Sequence, residues 1–194
     1  MTEREKMLAG LLYDCGDEEL LSRWHKAKDL MRDYNLTDSQ DMDRKNRILD
    51  ELLGGRGQNL WITAPFYVDY GNQIFFGNNC EVNMNCTFLD GNVIRIGDNA
   101  LIAPNVQIYT AFHPANAKDR FGEPREDGSF SFCKTRTAPV TVGNNVWIGG
   151  GAILMPGVTI GDNVVIGAGS VVTRDIPSDS VACGTPCRVI RENN

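Results

Sequence analysis

Long apolar runs are missing from this sequence. None approaches the ~18 residues of a membrane span, and Met1 to Lys6 carries mixed charge where a secretory signal would be apolar, so a cytoplasmic protein without a membrane partner is expected. An excess of positive charge is missing as well. With 19 Lys and Arg against 25 Asp and Glu the net charge is −6, so no global field draws in nucleic acid, and an anionic ligand must be held by local groups. Histidine is scarce, since His25 and His113 are the only two, and that excludes a site needing three histidine ligands from one chain. The six cysteines, Cys15, Cys80, Cys86, Cys133, Cys183 and Cys187, are too scattered for a disulfide framework and are expected to be reduced. Cys183 and Cys187 form the closest pair in sequence but lack a second pair of ligands at zinc-site spacing, so no metal is expected.

What is present is a repeat. The 194 residues, 42% hydrophobic and 23% charged, describe one or two globular domains, and a six-residue period dominates the C-terminal half. Val142, Ile148, Leu154, Ile160, Ile166 and Val172 follow one another at that spacing. Gly143, Gly149, Gly161 and Gly167 each follow one of these apolar residues. The same phase occurs earlier, in Phe76 to Cys80 with Val82 to Cys86, and in Ile96 to Ala100 with Ile102 to Val106. Six fits neither a 3.6-residue helix nor a simple hairpin. It fits a short strand and a turn in a coil that stacks on itself about 4.8 Å per layer, with Gly and Asn supplying the turn conformations and the apolar ladder filling the interior. The period therefore predicts a parallel β-helix.

Outside the repeat the patterning changes. Residues 1–58 have sparse Gly and helical apolar spacing: Thr2 and Glu5 form a capping box before Met7, Leu8, Leu11 and Leu12, and Leu20, Trp24, Ala27 and Met31 form one stripe. Thr37 and Gln40 are expected to cap a further helix through Ile48, Leu49, Leu52 and Leu53, stopped by Gly54-Gly55. Residues 59–186 are expected to form the β-helix, interrupted by an insertion at 109–141, with 187–194 as a C-terminal tail. The insertion has no hexad, and so long a loop in a compact domain is usually functional or mobile. It contains His113, followed by Pro114.

The hexad resembles the hexapeptide-repeat family, and that resemblance implies a triangular left-handed parallel β-helix with a small helical N-terminal subdomain. A finer resemblance follows the order of the chain. Ile96-Gly97-Asp98-Asn99 with Ala103-Pro104-Asn105-Val106, then His113-Pro114, Val142 to Gly149, Pro156 to Asn163 and finally Gly184-Thr185-Pro186-Cys187-Arg188-Val189-Ile190-Arg191 are similar to the maltose and galactoside O-acetyltransferases. The resemblance implies transfer of an acetyl group from acetyl-CoA to a hydroxyl of a sugar such as maltose, glucose or a galactoside. It also implies a homotrimer with sites between subunits.

Carried over position by position, the resemblance makes His113 the general base and Asn83 a second residue of the reacting centre. Asp14, Arg23, Asp69 and Asp90 become acceptor-binding residues. Gly150, Ala168, Thr173, Arg174, Arg188 and Arg191 contact the acetyl-CoA, with the Gly150 amide facing the thioester oxygen. The chemistry is consistent with this assignment: a sugar hydroxyl must lose its proton on attacking a thioester, imidazole titrates near neutral pH, and a backbone N–H can stabilise the developing oxyanion. Carboxylates suit acceptor hydroxyls because they accept two hydrogen bonds while charged. His25, beside Trp24 and Lys26, reads as a surface residue. The sequence departs from the family where Glu81 replaces an aromatic residue, where Gly91 follows Asp90 in place of a second acid, and in a long loop with Glu123, Glu126 and Asp127, any of which could orient His113. Three alternatives stand beside this reading. One is an acetyltransferase for an amine or a non-sugar alcohol; another is a non-catalytic β-helix scaffold. The third, a γ-type carbonic anhydrase, needs three histidine ligands and is excluded by the count.

Overall fold

Consecutive short strands of this chain visit three parallel faces in rotation. The computed structural model describes every residue except Arg125, Asp127, Ser129, Ser131, Phe132 and Asn194. Face I stacks Gly55–Arg56, Ile74–Phe76, Ile94–Ile96, Val140–Val142 and Thr159–Ile160. Face II stacks Trp61–Ile62, Glu81–Val82, Leu101–Ile102, Trp147–Ile148, Val165–Ile166 and Ser180–Cys183, and Arg188–Glu192 closes it antiparallel. Face III stacks Phe66–Val68, Cys86–Leu89, Gln107–Tyr109, Ile153–Leu154 and Val171–Val172. This is the parallel β-helix that the hexad predicts.

Register explains the core. On face II, Ile62, Val82, Ile102, Ile148, Ile166 and Ala182 lie in one inward line, all buried, while Trp61, Glu81, Leu101 and Trp147 alternate outward. Strand alternation imposes that division, because successive side chains point to opposite faces. Between faces I and II each corner places an Asn at positive φ: Asn59, Asn79, Asn99, Asn145 and Asn163, followed by Asp179. Asn tolerates the left-handed conformation that β-branched residues refuse. Here the side chains also form a ladder, each amide donating to the oxygen one coil above at 2.8–3.1 Å, with Asp179 accepting the last bond. Between faces II and III the two corners at 149–151 and 167–169 are glycine-rich, and at one of these positions the reason is steric: a Cβ at Gly149 would lie 2.5 Å from the backbone nitrogen of Ala168 in the next coil.

Among the described residues four helices accompany the coil: α1 (Glu3–Leu8), α2 (Glu18–Leu36), α3 (Met42–Leu52) and, in the insertion, α4 (Ala117–Arg120). The capping box of Thr2 and Glu5 is formed, and α1 ends before Leu11 and Leu12, with Gly10 at positive φ. One N-cap differs from expectation: Asp41, not Thr37, caps α3, accepting from the N–H of Arg44, while Asp17 caps α2 and Thr37 is the C-cap of α2. A carboxylate immediately before the first turn accepts the free amides better than a threonine several residues away. Of the expected stripe on α2, Leu20, Ala27 and Met31 are buried together with Tyr34, while Trp24 lies half out. Sheet pairing begins at Gly55–Arg56, just past the Gly54-Gly55 stop, inside the segment expected to be helical. The helices are fastened to the first coils by polar bonds: Tyr34 donates to the carbonyl of Ile62 at 2.7 Å, and Asn35 exchanges two 3.0 Å bonds with the backbone of Phe66.

Candidate active site

The corner between faces III and I is where the chain leaves the coil. After Gln107–Tyr109 it forms Ala111–Phe112, makes its excursion, and returns as Lys134–Thr137, which pairs antiparallel with Ala111–Phe112 on one side and with Tyr13–Asp14 on the other. This three-stranded ribbon ties the N-terminal segment to the insertion. Asn92 reinforces it, donating to the hydroxyl of Thr137 at 2.9 Å and to the carbonyl of Leu8 at 3.2 Å. Thr137 in turn donates to the carbonyl of Met7.

His113 follows the first ribbon strand, exposed, with Nδ1 3.0 Å from the carbonyl oxygen of Lys134 and 3.4 Å from the hydroxyl of Thr135. A carbonyl only accepts, so the neutral ring that makes this bond carries its hydrogen on Nδ1. Nε2 is then left with a lone pair, the protonation state a general base requires. Among the described residues, the group that meets Nδ1 most closely is therefore a backbone carbonyl. Of the acids expected as candidates, Glu123 lines a different recess, Glu126 has no part in the bond, and Asp127 lies outside the described residues.

Around His113 is a cleft of about 460 Å³, walled by Tyr13, Cys15, Leu21, Trp24, His25, Asp69, Tyr70, Leu89, Ala111, Cys133 and Thr135. Two elements supply most of it, the ribbon and the first turns of α2. Asp69 contributes the acid, held 3.5 Å from Lys28 Nζ, which also sits 4.7 Å over the ring of Trp24. Burial pushes the hydroxyls of Tyr13 and Tyr70 far above the usual phenol range, so both remain neutral donors at physiological pH. The exposed aromatic face of Trp24 beside polar groups suits a ligand with one apolar side and several hydroxyls.

Asp90, expected at the acceptor, is not among the residues that wall this cleft. It is fully buried and accepts from the backbone N–H groups of Asp69 (3.1 Å), Tyr70 (2.8 Å) and Gln73 (3.2 Å). Both carboxylate oxygens are thus committed to the corner that presents Asp69 and Tyr70, which makes Asp90 a positioning residue. Desolvation pushes its pKa up to about 7, against the opposing pull of those backbone amides. Gly91 beside it leaves room: a Cβ there would stand 3.5 Å from the hydroxyl of Tyr13 and 3.1 Å from Thr137 Cγ2.

Two more expected acceptor residues lie outside this cleft. In the ribbon, Tyr13 and Cys15 point into the cleft, so by alternation Asp14 points away, into a recess with Glu3, Lys6 and Glu123. Arg23 pairs with Glu19 at 2.9 Å and borders a separate recess with Asp17, Glu18 and Ser22. His25, expected at the surface, is exposed and edges the His113 cleft.

The remaining expected residues divide between two corners of the coil. Thr173 and Arg174 follow Val171–Val172 on the III/I corner, two coils above the excursion that carries His113. Asn83, Gly150 and Ala168 stack on the II/III corner, where the N–H of Gly151 donates to Pro104 and that of Gly169 donates to Gly150, both at 2.9 Å. Among the described residues the N–H of Gly150 meets no protein acceptor, so it is available to an external oxygen. Arg188 and Arg191 lie exposed on the strand that closes face II. Among the described residues neither they nor Arg174 is paired with a carboxylate, which leaves three guanidinium groups for anionic ligands. Also among the described residues, no group of three or more His, Cys, Asp or Glu could hold a metal, and no helix is long and apolar enough to cross a membrane.

The sequence reading missed Tyr13, Cys15, Trp24, Tyr70, Cys133 and the carbonyl of Lys134. Only Trp24 left a signal, as the largest and least easily buried member of its stripe; a backbone carbonyl has no residue identity to read.

Comparison with known proteins matches both parts of the chain. Residues 6–57 match the maltose acetyltransferase hexapeptide capping motif, and residues 139–174 match the bacterial transferase hexapeptide family of six repeats. The galactoside O-acetyltransferase of Escherichia coli K12 is 42% identical over 100% of this chain and 91% of its own length. The crystal structure of a maltose O-acetyltransferase from Clostridium difficile 630 superposes with a TM-score of 0.91 at 47% identity, covering 100% of this chain and 98% of that one. A galactoside acetyltransferase in complex with coenzyme A gives 0.90 at 41% identity, covering 100% and 92%.

Proposed function

The chain belongs to the maltose and galactoside O-acetyltransferase family of left-handed β-helices, and from that premise we propose that it moves an acetyl group from acetyl-CoA to a hydroxyl of a sugar, with His113 as general base. The observation that carries this reading is the bond from His113 Nδ1 to the carbonyl of Lys134, which leaves the lone pair on Nε2 of a residue that lines the cleft. The acceptor lies against Trp24, Asp69 and Tyr70. As its oxygen attacks the thioester carbonyl, Nε2 takes the hydroxyl proton, and the carbonyl of Lys134 stabilises the imidazolium that results. The N–H of Gly150 faces the negative charge growing on the thioester oxygen. The imidazolium then returns its proton to the departing sulfur. Arg174, Arg188 and Arg191 hold the phosphates of the CoA, the local answer to a chain whose net charge is −6.

His113 stands on one corner of the coil, and Asn83, Gly150 and Ala168 stand on another, so the reacting groups meet when corner III/I of one copy faces corner II/III of the next. Such a contact is head to tail, and for a triangular prism it closes after three copies. The outward line of Trp61, Leu101 and Trp147 on face II, each about half exposed, offers apolar area beside the second corner for that contact.

The test is thiol release from acetyl-CoA measured across maltose, glucose, galactosides, amino sugars and serine. Stimulation by a hexopyranoside that lacks an amine is the expected result. Stimulation by amines alone would move the reaction to nitrogen, and no stimulation together with no CoA binding in calorimetry would favour a scaffold.

A further inference from the structure

The acceptor cleft contains two thiols that acetyl transfer does not use. In the ribbon Tyr13 stands opposite Thr135 and Asp14 opposite Lys134, so the next opposed pair is Cys15 and Cys133. Their Sγ atoms are 3.6 Å apart, both residues are half-buried, and both line the wall of the cleft that contains His113. Directly opposed residues of an antiparallel pair have Cα atoms about 4.5–5.5 Å apart. A disulfide spans roughly 4.4–6.8 Å between Cα atoms, so side-chain rotation alone closes the remaining gap between the sulfurs. By contrast, Cys80, Cys86 and Cys187 are buried in the coil.

We propose that Cys15 and Cys133 form a modification site at which hydrogen peroxide converts the dithiol into a disulfide, fastening the N-terminal segment to the insertion across the mouth of the cleft. One thiol, as the thiolate, attacks a peroxide oxygen; the O–O bond breaks, giving a sulfenic acid and, with the released proton, water. The second sulfur then displaces the sulfenic oxygen, which leaves as water when it takes the second thiol's proton. In sum, two thiols and one peroxide give one disulfide and two waters. Two consequences follow, and they rest on the cleft being the acceptor site. The bond joins two residues of the cleft wall, and it pulls on the residue next to Lys134, whose carbonyl meets Nδ1 of His113. Oxidation therefore slows acetyl transfer.

The experiment treats the full-length protein with hydrogen peroxide, maps its peptides by mass spectrometry before and after dithiothreitol, and measures turnover on the best acceptor in the same samples. Expected are a Cys15–Cys133 cross-linked peptide, lighter by two hydrogens, and an acceptor turnover roughly tenfold or more below that of the reduced sample, restored by dithiothreitol. In Cys15→Ser and in Cys133→Ser, each compared with its own reduced form, the reversible loss should disappear. Peroxide that oxidises other cysteines, or drives either of these to sulfinic acid, without that cross-link overturns the site. A quantitative cross-link with unchanged turnover overturns the consequence for catalysis. The peptide map does not depend on the acetyl-transfer assignment, so failure of the function and failure of the thiol pair are separately visible.

Discussion

The carbonyl of Lys134 stands 3.0 Å from Nδ1 of His113, which in the proposed reaction leaves Nε2 to act as the base, and the ring is held by the same ribbon that walls the cleft. Asp90 works one step further back, buried beneath the corner whose amides it gathers. Replacing Asp90 by Asn puts an NH₂ group against one of those backbone donors, and a cost of about 1–3 kcal/mol in urea unfolding is expected. The sign of its pH dependence follows from its raised pKa. Between the unfolded value near ~4 and the folded value of about 7, the native state holds a proton that the unfolded chain has lost, so Asp90 lowers stability as pH rises through that window. Urea midpoints at pH 5 and pH 7.5 should therefore fall further for wild type than for Asp90→Asn. Parallel changes would mean that Asp90 is ionised throughout.

At the scale of elements, the coil is held by what repeats. The Asn ladder on the I/II corner joins six coils through side-chain amides, each residue at positive φ. Asn145, in the middle, accepts from Asn99 at 2.9 Å and donates to Asn163 at 3.0 Å. Asn145→Ala loses both bonds and forces Ala into the left-handed region, for an expected destabilisation of about 2–4 kcal/mol, whereas Asn145→Gly keeps the backbone and should cost about half as much. Thermal or chemical unfolding of the two variants checks this; equal costs would mean that the backbone conformation contributes nothing. Elements built on the hexad were legible in the sequence, because one residue class at fixed spacing dictates both the inward line and the corner. The ribbon was not: its strands are short, one of its two pairings joins residues more than a hundred apart, and antiparallel pairing of Tyr13–Asp14 with Lys134–Thr137 leaves no period. Strand alternation, which turns Asp14 from the cleft wall that Tyr13 and Cys15 form, is set by that pairing and not by residue identity, and Thr37 and Asp41 both carry side chains able to cap α3.

For the whole molecule, the residues that the proposed reaction brings together lie on separate corners of one prism, so that reaction requires two copies to complete its site. One motif singles out His113 in the sequence, but the proposed sharing of the site depends on which corner each turn occupies, a property of the stacked coil and not of any segment. The most direct measurement is acetyl-CoA turnover by chains carrying His113→Ala, by chains carrying Asn83→Ala, and by the two refolded together in equal amounts. His113→Ala alone should lose at least ~10²-fold. In the mixture about one site in four pairs an intact His113 with an intact Asn83 on its neighbour, so turnover should rise well above the mean of the two parents, toward about a quarter of wild type. Turnover of the His113→Ala chains equal to wild type, or a mixture no faster than that mean, would contradict the account.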